Sequence, residues 1–234
     1  MNSVTSIMRE INVMTSIMHE INSMTYFRNY QATSGHVHNI ASHEEAVECV
    51  LKKNGLTNLN LKFQRNEKID LIINNDKQSK VAKMSYIMQP FGTHNSPDFI
   101  VKCETTVFGL ECKSSSNTNT PMYNSGGVTP DYIYIFCSKS SNQTTIYTGD
   151  DIVTTKQNRL IDEYIVECRE RDNKFNKQLA SIDTNKRGIN FYTRPMIGQK
   201  GGNDFTNYFT HQNRSLAEAN VFKFIQNKIE SSSL

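Results

Sequence analysis

A chain of 234 residues that is 37% apolar and 21% charged, with a net charge of +3, can bury one sizeable core; this excludes a disordered polyelectrolyte and is compatible with a polyanionic partner without requiring one. Five cysteines stand singly at Cys49, Cys103, Cys112, Cys137 and Cys168 with no CxxC spacing, which argues against a zinc site or a disulfide framework and predicts a reducing, intracellular (cytoplasmic) setting. No stretch approaches the ~20 apolar residues of a membrane span, and the N-terminus lacks the apolar run of a secretory signal, so no membrane partner is expected.

The chain opens on a near-perfect repeat. Thr5-Ser-Ile-Met-Arg-Glu-Ile-Asn12 returns as Thr15-Ser-Ile-Met-His-Glu-Ile-Asn22, with apolar residues at Val4, Ile7, Ile11, Met14, Met18 and Ile21. Steps of three and four predict one helical face, so residues 1–28 read as an N-terminal helical extension. It could pack on the domain, form a helix–helix seam between copies, or stay mobile. Residues 29–41 read as a loop. Ser42-His-Glu-Glu45 has the form of a capping box for a helix ending at Gly55. Short strands are predicted at 59–63 and 69–73, with a further apolar stretch at 80–89.

The strongest strand signals come next, at 98–103, 108–113, 131–137 and 144–148. Between the second and third lies a polar, turn-rich segment that reads as a long surface loop. Gly149-Asp-Asp151 is expected to open a helical stretch running towards Leu179, as one helix or two. Residues 185–203 are basic, aromatic and glycine-punctuated. Ser215-Leu-Ala-Glu218 resembles a second capping box, starting a C-terminal helix. No linker divides the chain, so a single domain is expected, with a core at 42–180 and a closing segment at 181–234.

One constellation carries chemistry. Pro97-Asp98 begins a strand, twelve residues intervene, and Glu111-Cys112-Lys113 lies on the next strand. Strand alternation sends Glu111 and Lys113 to one face and Cys112 to the other. A short turn between the strands brings Asp98 towards Glu111. Two carboxylates form a hard-oxygen site suited to Mg²⁺, to which the Cys112 main-chain carbonyl could add, and a lysine beside them can orient water and balance charge.

At these residues the sequence resembles the PD-(D/E)xK nuclease superfamily, and especially its type II restriction endonucleases. The resemblance implies an α/β restriction-endonuclease-like core, a mixed central sheet flanked by helices. It also implies Mg²⁺-dependent hydrolysis of double-stranded DNA at a short, palindromic sequence, leaving 5′-phosphate ends. Asp98 and Glu111 would hold the metal and Lys113 would help activate water. The family often adds an acidic residue from the preceding helix; Glu44, Glu45 and Glu48 are candidates there, and Glu48 is the choice because Glu45 fits the capping role. Asp70 and Glu104 are weaker candidates. A homodimer matching a palindrome and a companion DNA methyltransferase are the implied partners.

A DNA-cutting site needs a polar, basic rim. Two segments suit it. The first follows Lys113 and offers Ser114, Ser115, Asn117, Tyr123 and Asn124. The second offers Arg187, Tyr192, Arg194 and Lys200, with Asn203, Asn207, His211, Asn213 and Arg214 as possible additions. His94 precedes Pro97 and reads as a loop histidine, and the pair His36 and His38 lacks a third ligand nearby. Alternatives are a Holliday-junction resolvase, a non-catalytic DNA-binding protein on a nuclease-like fold, and a globular protein that binds a partner through its repeat-bearing helix.

Overall fold

In the computed structural model, the described residues are 3–26, 42–63, 81–93, 95–116, 120–124, 127–194, 196–198 and 208–232. The expected loop at 29–41 with His36 and His38, the strand at 69–73 with Asp70, and His94, Asn117, Lys200, Asn203 and Asn207 lie outside them.

The alternating strands assemble as their patterns require. The elements in chain order are α1 (Ser3–Asn22), α2 (Ser42–Lys53), β1 (Thr57–Asn58), β2 (Ser85–Met88), β3 (Phe99–Lys102), β4 (Val107–Ser115), β5 (Met122–Asn124), β6 (Tyr132–Ser138), β7 (Gln143–Thr148), a 3₁₀ turn at Gly149–Asp151, α3 (Thr155–Ile182), β8 (Met196–Gly198) and α4 (Arg214–Ser232). Six strands form one mixed sheet in the order β1-β2-β3-β4-β6-β7. β1 pairs parallel with β2 and β4 parallel with β6, and the other pairings are antiparallel. The fold is therefore mixed α/β, a central sheet flanked by helices.

Every residue of β6 is buried, as befits a strand covered on both faces. On one face, Tyr86, Phe99, Val101, Phe108, Leu110, Ile133 and Ile135 meet Met14, Ile17, Met18 and Ile21 of α1, Val47 and Leu51 of α2, and Val221, Ile225 and Ile229 of α4. On the other, Ile87, Ile100, Tyr132, Tyr134, Phe136 and Tyr147 meet Tyr123, Val128, Tyr208 and Phe209. Helix α1 thus closes the core. It is further tied in by Glu10, whose carboxylate accepts the main-chain amides of Glu104, Thr105 and Thr106 in the β3–β4 turn, the last at 2.8 Å. Among the described residues no helix is long and apolar enough to cross a membrane.

Several boundaries differ from the sequence reading. Residues 59–63 form no strand, because the pairing with β2 is made by Thr57 and Asn58 instead. Gly149–Asp151 is a 3₁₀ turn in which Asp151 binds the Thr148 amide and hydroxyl. The long helix starts later, at Thr155, where Thr154 and Gln157 cap each other reciprocally. It is one helix of 28 residues. Glu218 does not close a capping box; it accepts from Arg214 at 2.8 Å and from the Thr145 hydroxyl at 2.8 Å, fastening α4 to β7. Gly55 does end α2, at φ +84°.

Candidate active site

Strand β4 is longer than its neighbour. It pairs with β3 only from Val107 to Leu110 and continues to Ser115 beside β6 alone. Glu111 and Lys113 therefore lie just past the point where the antiparallel partner has begun, and Asp98 is the residue immediately before that partner. The main-chain amide of Cys112 has no β3 residue opposite it, and the Asp98 carboxylate takes it, Oδ2 accepting at 2.7 Å. The Asp98 side chain thus extends the ladder by one bond and is fixed beside Glu111.

Alternation along β4 does the rest. Glu111 and Lys113 share a face, and the Lys113 ammonium donates to Glu111 Oε1. Ser96 Oγ donates to Glu111 Oε2 at 2.8 Å, so both carboxylate oxygens are engaged. Cys112 faces the other way and packs half-buried against the core under α1 and α2. The strand partners of Glu111 and Lys113 on β6 are Tyr134 and Phe136. Tyr134 stacks on Tyr147 at 5.7 Å, and the hydroxyls of Tyr123, Tyr147 and Tyr208 bond one another at 3.0 and 3.3 Å. The charged residues therefore rest on an aromatic floor of low polarity, where electrostatic interactions are strong.

The electrostatics follow from this placement. Burial, then the charges of Glu111 and Glu44, push the Asp98 carboxyl up to about 8, against the opposing pull of the Cys112 amide and Lys113. Burial also raises Glu44, with Glu111 adding and a hydrogen bond from Gln89 at 3.2 Å opposing. For Lys113, burial disfavours the ammonium, but the Glu111 and Asp98 carboxylates outweigh it and hold the group above its ordinary value. Asp98, Glu111 and Glu44 thus influence one another and Lys113 electrostatically, and Glu111 is the one in direct contact with the ammonium. Among the described residues no three His, Cys, Asp or Glu side chains are arranged to hold a metal ion by themselves. The donors on offer are two carboxylates with neighbouring main chain.

Asp98, Glu111 and Lys113 come together, as expected. Glu48, the chosen helix carboxylate, does not join them: it accepts from Tyr86 Oη at 2.6 Å and Asn58 at 3.2 Å and pairs with Lys52. Glu44, one turn earlier, is the α2 residue that faces the cluster. Glu104 binds Lys83 and Arg9 away from it. Gln89, just after β2, which holds Glu44 and donates its main-chain amide to the Asp98 carbonyl at 2.6 Å, and Ser96 were missed; for Ser96 the signal was its place one residue before Pro97.

The two expected DNA-contacting segments are joined. β5 and β8 pair as a small antiparallel ribbon with Tyr123 opposite Ile197. Tyr123 itself is a correction: it is fully buried in the tyrosine cluster and presents nothing to a ligand. Ser114 is exposed and Ser115 half-buried at the end of β4, and Asn124 pairs through its main chain with Met196. Arg187, Tyr192 and Arg194 are exposed. Arg214 is occupied structurally, by Glu218, by Gln143 at 2.6 Å and by the Phe209 ring at 5.3 Å. No family model matches the chain, and no curated protein or solved structure matches it either.

Proposed function

We propose that the chain is a magnesium-dependent DNA endonuclease of the PD-(D/E)xK kind, built on a restriction-endonuclease-like core. The observation that carries the reading is the convergence of Asp98 and Glu111 around the Cys112 amide, with Lys113 paired to Glu111, where β4 outruns β3. The donor chemistry fits Mg²⁺: two carboxylates from neighbouring strands, with the Cys112 carbonyl as a third oxygen, suit a small hard cation that keeps several waters. Such an ion, when bound, stabilises charge on a phosphoryl oxygen and lowers the pKa of a bound water.

The chain's own residues have distinct tasks in this reading. Asp98 and Glu111 would hold the ion, and each is already fixed in place, Asp98 by the Cys112 amide and Glu111 by Ser96. Lys113 places an ammonium beside the reacting phosphodiester, where it orients the attacking water and balances charge that develops in the transition state. Glu44 adds negative charge from α2. Hydrolysis leaves 5′-phosphate and 3′-hydroxyl ends. The exposed Arg187, Tyr192 and Arg194 and the serines that follow Lys113 supply polar groups for the DNA backbone and base edges. Cleavage at a short sequence, guarded by a companion methyltransferase, is the biological form favoured by these long polar segments.

The test is incubation of the purified protein with unmethylated phage DNA, with Mg²⁺ and with EDTA. Discrete, metal-dependent fragments are expected. Lys113→Ala should lower the cleavage rate at least about a hundredfold, with DNA binding and melting temperature retained. Cleavage confined to four-way junctions would reassign the chain to junction resolution. A fully active Lys113→Ala protein, or intact DNA under every metal and methylation state, overturns the proposal.

A further inference from the structure

Residues 188–194, between α3 and β8, are neither helix nor strand, yet they are clamped along the outside of α3. The Asn176 side chain takes Phe191 on both sides: Oδ1 accepts the main-chain N–H at 2.7 Å and Nδ2 donates to the carbonyl at 2.7 Å. One turn earlier on the helix, Asp172 accepts the Thr193 amide at 2.6 Å and the Thr193 hydroxyl at 2.8 Å. Asp183 accepts the Gly188 amide at 2.8 Å at the far end. Phe191 also meets Phe175 edge-on at 5.7 Å. Two residues of extended chain advance about 6.6 Å and four residues of helix about 6 Å, so strap and helix keep step as they run antiparallel. A strap ordered in this way needs no further ordering when a ligand arrives.

Alternation gives the strap an outer row. Phe191 and Thr193 turn to α3, so Asn190, Tyr192 and Arg194 turn away from it, about 6.6 Å apart. All three are exposed, and Tyr192 keeps 72% of its surface in water. Residues 184–194 hold three cations, Lys186, Arg187 and Arg194, and no acid, which equals the +3 net charge of the whole chain. The acids that touch the strap, Asp172 and Asp183, are turned inward onto its amides. A flat ring set among fixed cations suits a polyanion with stackable faces, which is a nucleic-acid strand. In a closed duplex those faces are covered by the neighbouring pairs, so the ring takes a base that is out of the stack. The strap also begins beside the acidic cluster. β8 starts two residues after Arg194, its partner β5 carries Tyr123, and Tyr123 meets Tyr134, the strand partner of Glu111, edge-on at 5.6 Å.

We propose that the strap binds a nucleic-acid strand whose bases are unstacked, with Tyr192 stacked on one base and Arg187 and Arg194 on the flanking phosphates. It rests on the reading of the chain as a DNA-binding protein, but not on cleavage. The test is fluorescence anisotropy of a labelled single-stranded oligonucleotide titrated with the full chain in EDTA. Saturable binding is expected, weakened about tenfold by Tyr192→Ala and retained by Tyr192→Phe, which keeps the ring. A strand of abasic units has the phosphates without the stackable faces. It should bind the wild-type protein about tenfold more weakly than the ordinary strand and be indifferent to Tyr192→Ala. Arg187→Gln with Arg194→Gln should lower the slope of log affinity against log salt by about 1.4, two phosphate contacts at about 0.7 each. All three positions are exposed, so the variants should melt as the wild type does. A wild-type protein that does not bind the strand overturns the proposal. So does equal affinity of wild type and Tyr192→Ala, or equal affinity for ordinary and abasic strands. An unchanged salt slope overturns the phosphate contacts. Because EDTA withholds the metal, a protein that never cuts but shows these effects keeps the strap and loses only the nuclease reading.

Discussion

Glu44 and Glu48 sit one turn apart on α2, about 40° around the helix, and enter different networks. Glu44 is held by Gln89 and feels Glu111 and Lys113. Glu48 is consumed by the Tyr86 hydroxyl, Asn58 and Lys52. Glu44→Gln is therefore expected to lower the cleavage rate while leaving the urea midpoint near wild type. Glu48→Gln should do the reverse: it leaves the buried Tyr86 hydroxyl with a poorer acceptor and costs about 1–3 kcal/mol of stability, with cleavage per folded molecule unchanged. Steady-state cleavage rates and urea titrations of the two variants decide it, and a Glu48→Gln protein that is stable and inactive would return the role to Glu48. Residue by residue, the sequence could be read only as far as strand parity reaches. Parity alone puts Glu111 and Lys113 on one face, and the Pro97-Asp98 spacing sets the second carboxylate beside them. Choosing between two glutamates 40° apart requires the docking angle of α2, which no local pattern carries. Tyr123 was misread for a related reason: a tyrosine in a polar loop looks like a contact residue until the distant Tyr147 and Tyr208 close over it.

The strands β3, β4, β6 and β7 were legible as elements because each is a buried or alternating run bounded by turn formers. The β5–β8 ribbon was not: each strand has three residues, about seventy positions apart, and neither run has a period of its own. The delayed start of α3 also escaped, since Asp150 and Asp151 imitate an acidic first turn while Thr154 and Gln157 form the real cap. Between elements, β4 and β6 approach closely at Gly109, where the two strands run parallel and Gly109 lies opposite Tyr132. A Cβ at Gly109 would stand 2.7 Å from the Tyr132 ring, and that ring is buried and cannot swing clear. Gly109→Ala is expected to push the two strands apart and lower stability by about 1–3 kcal/mol. Because Glu111 lies two residues on along the same strand pair, the variant should also lose cleavage. A second change, Tyr132→Ala in the Gly109→Ala background, should return part of the cleavage by opening the space. No recovery in that double variant would mean the strand displacement is not what costs the activity.

At the scale of the whole molecule, the N-terminal repeat changes meaning. Its narrow apolar stripe suits a seam between helices, and a seam it is, but within the chain: Met14, Ile17, Met18 and Ile21 are fully buried against α2, α4 and the sheet. That surface is therefore spoken for within the chain, whereas α3 has Ile165 as its one buried residue. The repeat is conspicuous because α1 must cover a long strip of core at constant spacing; α3 is inconspicuous because it is polar on most sides. Glu10 strengthens the assignment. Its carboxylate is 1% exposed and satisfies three consecutive amides of the β3–β4 turn, the turn that sets Asp98 against Glu111. Removing residues 1–24 would uncover four large side chains' worth of core, about 6–12 kcal/mol by burial, and orphan those amides. Total stabilities of domains are about 5–15 kcal/mol, so the shortened chain is expected to show no cooperative thermal transition. Full-length Glu10→Gln keeps the helix and replaces a charged acceptor by a neutral one; it should melt cooperatively at a lower temperature than wild type. Calorimetry separates the cases. A shortened protein with the wild-type transition would make α1 an appendage and reopen its surface to a partner. Loss of the transition, together with a lowered but sharp one in Glu10→Gln, would mean that the first helix holds β3 and β4 in register.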